Sequence, residues 1–151
     1  MSIPPTDSTL TATKRPLCVD LDGTLLATDT MAEGFLGLLK TAPWKVFGAL
    51  AALTSGRPTL TRYLAQHAPV DPATLPYREE VLEEMRQARY DGRQVLLVTA
   101  SDQATADAVA GHVELFDEAI GSDGENNLKA SRKADFLVSR FGSGGFQYLG
   151  D

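Results

Sequence analysis

Apolar and polar residues follow two different periods along this chain. Residues 16–21, PLCVDL, form a short apolar run closed by carboxylates, and a run of that length reads as a buried strand. Residues 31–68 carry apolar side chains at helical spacing. They are interrupted at Pro43 and at SGRP, 55–58, where turn residues meet a helix-starting proline, so two or three short helices are expected. Within 76–92, Val81, Leu82, Met85 and Ala88 share one helical face, with Pro76 opening the segment and Gly92 closing it. QVLLVTAS, 94–101, is a second buried strand. Ser101 is placed to cap a helix over 102–113 whose inner face would hold Ala104, Ala108 and Val109. EAIGS, 118–122, reads as a third strand. Ala134, Leu137, Val138 and Phe141 mark a further helix, and FQYLGD, 146–151, a fourth strand.

Strands alternating with helices of about 10 to 15 residues predict an α/β fold with a parallel sheet, because parallel neighbours need crossover helices. In open sheets of that kind ligands sit at the carboxyl ends of the strands. Polar residues of this chain gather there: Asp20 and Asp22 end the first strand, Thr99 and Ser101 the second, and Asp151 the fourth.

A length of 151 residues suits one domain, here a flexible Ser/Thr/Pro-rich tail at 1–15 and a core at 16–151 with a helical insertion at about 30–76. The most apolar stretch, 34–53, contains Pro43, Lys40 and Lys45, which favours packed helices over a membrane span; Phe35, Trp44 and Phe47 are expected to pack that insertion. A net charge of -6 argues against nucleic-acid binding. The single cysteine, Cys18, cannot form an internal disulfide and lies in an apolar run, so a buried thiol in a reducing, cytoplasmic setting is expected. His67 and His112 have no ligand pattern around them.

The ordered set DLDGT, VLLVTAS, NLKASRKADFL and FQYLGD resembles the four motifs of haloacid dehalogenase superfamily hydrolases. More narrowly, LCVDLDGTLLATDT, VDPATLPYREEVL and GENNLKASRKADFLVSRFG resemble the dehalogenase-like domain that precedes a UbiA-type prenyltransferase in some bacterial fusion proteins. The resemblance implies a Rossmannoid three-layer sandwich with a parallel sheet and a small helical cap inserted after the first strand. The family pattern continues with another acid about four positions beyond GD, whereas the chain stops at Asp151. A C-terminally truncated member is therefore expected, with apolar sheet surface left uncovered and open to self-association.

The activity so implied is Mg²⁺-dependent phosphomonoester hydrolysis. Asp20 would be the nucleophile, forming an aspartyl-phosphate, and Asp22 the general acid and then base. Residues two apart in an extended segment point to the same side, so both carboxylates can face one substrate. Magnesium would be held by Asp20, the backbone carbonyl of Asp22 and Asp151. Thr99 would offer its hydroxyl to the phosphoryl group. Lys133, preferred over Lys129, would neutralise its charge. Gly23 and Thr24 would shape the turn at the substrate, with Ser101 and Lys129 as further substrate contacts. The expected substrate is a small or lipid-linked phosphomonoester, with the insertion reading the leaving group and associating with a membrane or a membrane enzyme at the cytoplasmic face. The alternative is a non-catalytic regulatory or docking domain, a fragment of a membrane prenyltransferase fusion.

Overall fold

The structure, a computed structural model, describes residues 15–123, 128 and 130–150. Four strands form one sheet: β1 (Leu17–Val19), β2 (Val95–Asp102), β3 (Glu118–Ser122) and β4 (Gln147–Leu149), in the order β3-β2-β1-β4. All pairings are parallel, with Cys18 opposite Leu96 on one side and Tyr148 on the other. The chain steps outward from β1 through β2 to β3 and then crosses back to β4. The direction of winding thus reverses beside β1, the place where open sheets form a binding crevice.

Alternation along the strands divides the core between two helical layers. Leu17, Val19, Val95 and Leu97 face α4 (Glu79–Tyr90) and α5 (Gln103–Val113), meeting Met85, Ala88, Ala106 and Val109. Cys18, Leu96 and Val98 face the opposite way, toward Leu137 on α6 (Ala130–Phe141). This is the expected three-layer α/β sandwich. Burial pushes the Cys18 thiol up to about 11, with the Arg140 charge pulling weakly the other way.

Between β1 and α4 the chain builds a separate helical module: α1 (Thr30–Thr41), a 3-10 turn (Pro43–Lys45), α2 (Val46–Thr54) and α3 (Arg57–His67). The breaks fall at Pro43 and at Ser55–Gly56, as the sequence predicts. The module has its own core of Leu38, Ala49, Leu60 and Leu64, with Phe35 packed against it. Gly48 lies under the Tyr63 ring, where no side chain would fit, and the Tyr63 hydroxyl donates to the Lys45 carbonyl (2.9 Å). The outgoing and returning strands of chain are tied together by Ala27 N–H to the Pro76 carbonyl and Arg78 N–H to the Leu25 carbonyl.

Four expectations need correction. Asp102, not Ser101, caps α5, accepting the Ala104 N–H (3.0 Å); Ser101 remains in β2. The inner face of α5 is therefore Ala106 and Val109, while Ala104 and Ala108 are exposed. On α6 the inward line is Lys133, Phe136 and Leu137, with Ala134 and Val138 outside, because Lys133 takes an inward position to reach a carboxylate. Trp44 and Phe47 do not pack the insertion; they face solvent, since the module core is filled without them. The expected tail lies outside the described residues except Arg15, whose guanidinium donates to the Gly144 carbonyl and whose own carbonyl accepts from Arg93.

Candidate active site

Two carboxylates reach the carboxyl edge of the sheet because the backbone coils immediately after β1. Asp20 N–H still donates to the Leu149 carbonyl of β4 (2.9 Å), and the chain then folds back, with Leu25 N–H on the Asp20 carbonyl and Leu26 N–H on that of Leu21. Gly23 adopts φ +74°, a region that other L-residues enter at a cost of about 1 kcal/mol. Leu21, Leu25 and Leu26 are fully buried and anchor the coil from below.

Asp20 Oδ1 accepts the Leu21 N–H (2.9 Å) and the Lys133 ammonium (2.8 Å). Oδ2 takes no hydrogen bond from the described residues. The ion pair is well shielded, the side chains being 16% and 9% exposed. Lys133 also donates to the Tyr148 hydroxyl (3.3 Å), so the ends of β1 and β4 and the first half of α6 meet at one ammonium.

Asp22 is held differently. Its Oδ1 accepts the Thr30 N–H at the start of α1 (2.7 Å), and its Oδ2 accepts the Ser101 hydroxyl (2.7 Å). Since Ser101 spends its proton on Asp22, the short Thr30–Ser101 hydroxyl contact (2.8 Å) is supplied by Thr30. A Thr30 to Ser101 to Asp22 chain thus links the helical module, β2 and the loop after β1. Ser101 lies here because Gly121 lets β3 and α5 approach closely: a Cβ at Gly121 would sit 2.9 Å from the Ser101 carbonyl and 2.8 Å from Gln103 Cα.

These groups line a cavity of about 390 Å³ between the sheet edge and the module. Asp20, Asp22, Ser101 and Lys133 share its wall with apolar side chains, including Met31, Pro58, Leu137 and Phe146. Arg57, at the first turn of α3, lines the cavity from the module side. Among the described residues it enters no ion pair within 4.0 Å.

Of the expected site residues, Asp20, Asp22, Ser101 and Lys133 come together. Thr99 is fully buried, one layer below the wall, its hydroxyl accepting the Ser101 N–H (3.0 Å), so the hydroxyl on the cavity at this strand end is that of Ser101. Gly23 and Thr24 form the coil and are not on the cavity wall. Lys129 and Asp151 lie outside the described residues. Thr30, Arg57 and Tyr148 did not emerge from the sequence. Thr30 carries a signal in retrospect: Asp29 before it is a helix cap, which aims the first N–H groups of α1 back at the DLDGT loop. For Arg57 and Tyr148 there was none, since only the fold brings them to the crevice.

No protein-family model matches this chain. A curated relative, the uncharacterized protein y4nM of Sinorhizobium fredii (strain NBRC 101917 / NGR234), is 42% identical over 138 residues, which are 91% of this chain and 27% of the relative. The chain therefore spans about a quarter of the length of the relative it matches. Among solved structures, a protein of unknown function from Bordetella pertussis Tohama I superimposes with a TM-score of 0.57 at 16% identity, covering 89% of this chain and 77% of that one. A substrate-bound phosphoserine phosphatase does so with a TM-score of 0.56 at 16% identity, covering 84% and 70%. The chain has the haloacid dehalogenase-like α/β fold. Among the described residues no helix is long and apolar enough to cross a membrane.

Proposed function

We propose that this chain is a phosphomonoester hydrolase domain that works through an aspartyl-phosphate on Asp20. The observation carrying this reading is the 2.8 Å pairing of Asp20 with Lys133, across 113 residues of sequence, at the carboxyl edge of the sheet beside Asp22 and the cavity. The free oxygen of Asp20 attacks phosphorus as the bond to the leaving oxygen breaks, and Lys133 offsets the charge on the phosphoryl oxygens. Asp22 gives its proton to the leaving oxygen, then takes one from the water that releases phosphate from Asp20. The Thr30–Ser101–Asp22 chain orients Asp22 for this: with Asp22 ionised, Thr30 donates to Ser101 and Ser101 to Asp22.

The donor set suits magnesium. Asp20 and the Asp22 carbonyl are hard oxygen ligands, and among the described residues one carboxylate oxygen of Asp20 takes no hydrogen bond. Three metal-binding side chains do not converge among the described residues, and the expected third ligand, Asp151, lies outside them. When bound there, the ion would neutralise charge on the phosphate. The phosphoserine phosphatase likeness supports phosphomonoester chemistry, and the apolar side chains on the cavity wall favour a leaving group with apolar surface, including a lipid-linked one. The greater length of the curated relative supports a domain of a longer protein, and the resemblance to the domain preceding UbiA-type prenyltransferases suggests its context.

The test is hydrolysis of p-nitrophenyl phosphate with and without magnesium. Turnover that needs the ion and vanishes in Asp20→Asn is expected; turnover indifferent to that substitution overturns the assignment.

A further inference from the structure

Outside the crevice, the large apolar side chains that face solvent are concentrated in the helical module. Trp44 is 67% exposed, Phe47 77% and Leu50 52%, with Leu53, Leu36 and Leu39 also open. Trp44 and Phe47 are three positions apart, and Phe47, Leu50, Ala51 and Thr54 continue the same helical spacing, all exposed. They make one stripe from the 3-10 turn along α2 that contains no charged residue.

The charge around this stripe is of one sign. Residues 34–70 contain Lys40, Lys45, Arg57 and Arg62 and none of the chain's 20 Asp and Glu residues, although the whole chain carries a net charge of -6. None of the ion pairs among the described residues involves this segment. Lys40 is exposed at the end of α1, and Lys45, 3.4 Å from His67 Nδ1, adjoins Trp44. An acidic protein partner would match the basic residues alone, and a second copy would set stripe against stripe while bringing its own Lys40 and Lys45 against those of the first, with no Asp or Glu in 34–70 to offset them. A solvent-facing row of Trp, Phe and Leu flanked by lysines matches a surface that is apolar inside and anionic at its boundary.

We propose that the outer face of the helical module docks on an anionic lipid bilayer, with Trp44, Phe47 and Leu50 at the acyl boundary and Lys40 and Lys45 among the headgroups. The helices lie on the surface, since none of them is long enough to span it. The proposal stands apart from the catalytic reading, and its test reads binding alone.

Trp44 is the only tryptophan of the chain and reports directly on its own surroundings. The full chain is mixed with vesicles of equal parts phosphatidylglycerol and phosphatidylcholine, and with vesicles of phosphatidylcholine alone; cosedimentation and Trp44 emission are read. Binding to the anionic vesicles with a blue shift of Trp44 is expected, with binding to the neutral ones weaker by about tenfold or more. Phe47→Ser with Leu50→Ser, at solvent-facing positions, should unfold at the wild-type temperature and lose at least about tenfold in partitioning. Lys40→Gln with Lys45→Gln should bring anionic binding toward the neutral level. Absence of both cosedimentation and shift overturns the proposal, as does binding that survives the serine substitutions. A dimer that shields Trp44 without lipid also overturns it and assigns the stripe to a second copy.

Discussion

Replacing Lys133 with methionine keeps the length of the side chain and removes the only cation within hydrogen-bond reach of Asp20 among the described residues. Deleting one member of a buried pair costs about 3–5 kcal/mol, chiefly because the remaining charge is stranded. Asp20 is not fully sealed: it keeps the Leu21 N–H and its side chain, 16% exposed, lines the cavity, which places the expected loss near the bottom of that range, about 3 kcal/mol. For a domain of this size that is a fall of about 8 °C in melting temperature. Asp20→Asn with Lys133→Met removes both charges, so the double variant should lie within about 1 kcal/mol of wild type. Thermal and urea unfolding at pH 7, followed by circular dichroism, give the four corners of the cycle. Strictly additive losses, or a Lys133→Met protein as stable as wild type, would refute the view that this pair is shielded and strongly coupled. In the phosphatase assay Lys133→Met should lower kcat by about 10²–10³, the loss typical of removing one donor to a developing oxyanion.

The Cys18 thiol, raised from 9.0 to about 11 by burial, stabilises the fold only while protonated: that contribution is complete below pH 9 and is lost as pH rises toward 11. The loss is about 3 kcal/mol, and Cys18→Ala should flatten that limb of an alkaline unfolding profile. Arg57→Ala should raise KM about tenfold for phosphomonoesters with a second anionic group while leaving p-nitrophenyl phosphate nearly unchanged, since Arg57 lines the cavity from the module, on a different element from Asp20, Asp22 and Lys133. Ser101→Ala should cut kcat about tenfold with little change in KM and lower stability by about 1–2 kcal/mol, because Asp22 and Thr30 both lose their shared partner. Gly121→Ala forces a Cβ to within 2.9 Å of backbone at Ser101 and Gln103, and unfolding titrations should show a loss of about 1–3 kcal/mol.

Local pattern was enough for the elements whose signal is one-dimensional. The buried strands, the helix carrying Met85 and Ala88 and the breaks at Pro43 and SGRP follow from side-chain period and from residues that cannot continue a helix. The DLDGT coil was legible too, because a glycine after two spaced carboxylates dictates where the backbone turns. Shifts of one position defeated pattern alone. Ser101 and Asp102 are both good helix caps, and the choice fell to Asp102 because the Ser101 hydroxyl is held by Asp22, 79 positions away. Lys133 faces inward against its own polarity because Asp20 awaits it there. Periodicity could not show that Trp44 and Phe47 would face solvent, since an apolar residue looks the same whether or not the core has room for it. By itself the sequence determined which chemical groups the site can use and which strand ends carry them. Only the tertiary structure decided which of those groups touch and added Thr30, Arg57 and Tyr148 to them, because the contacts among residues 20, 22, 30, 101, 133 and 148, and the placing of Arg57 on the same cavity, depend on how the helical module and α6 close over the sheet, which no local spacing encodes.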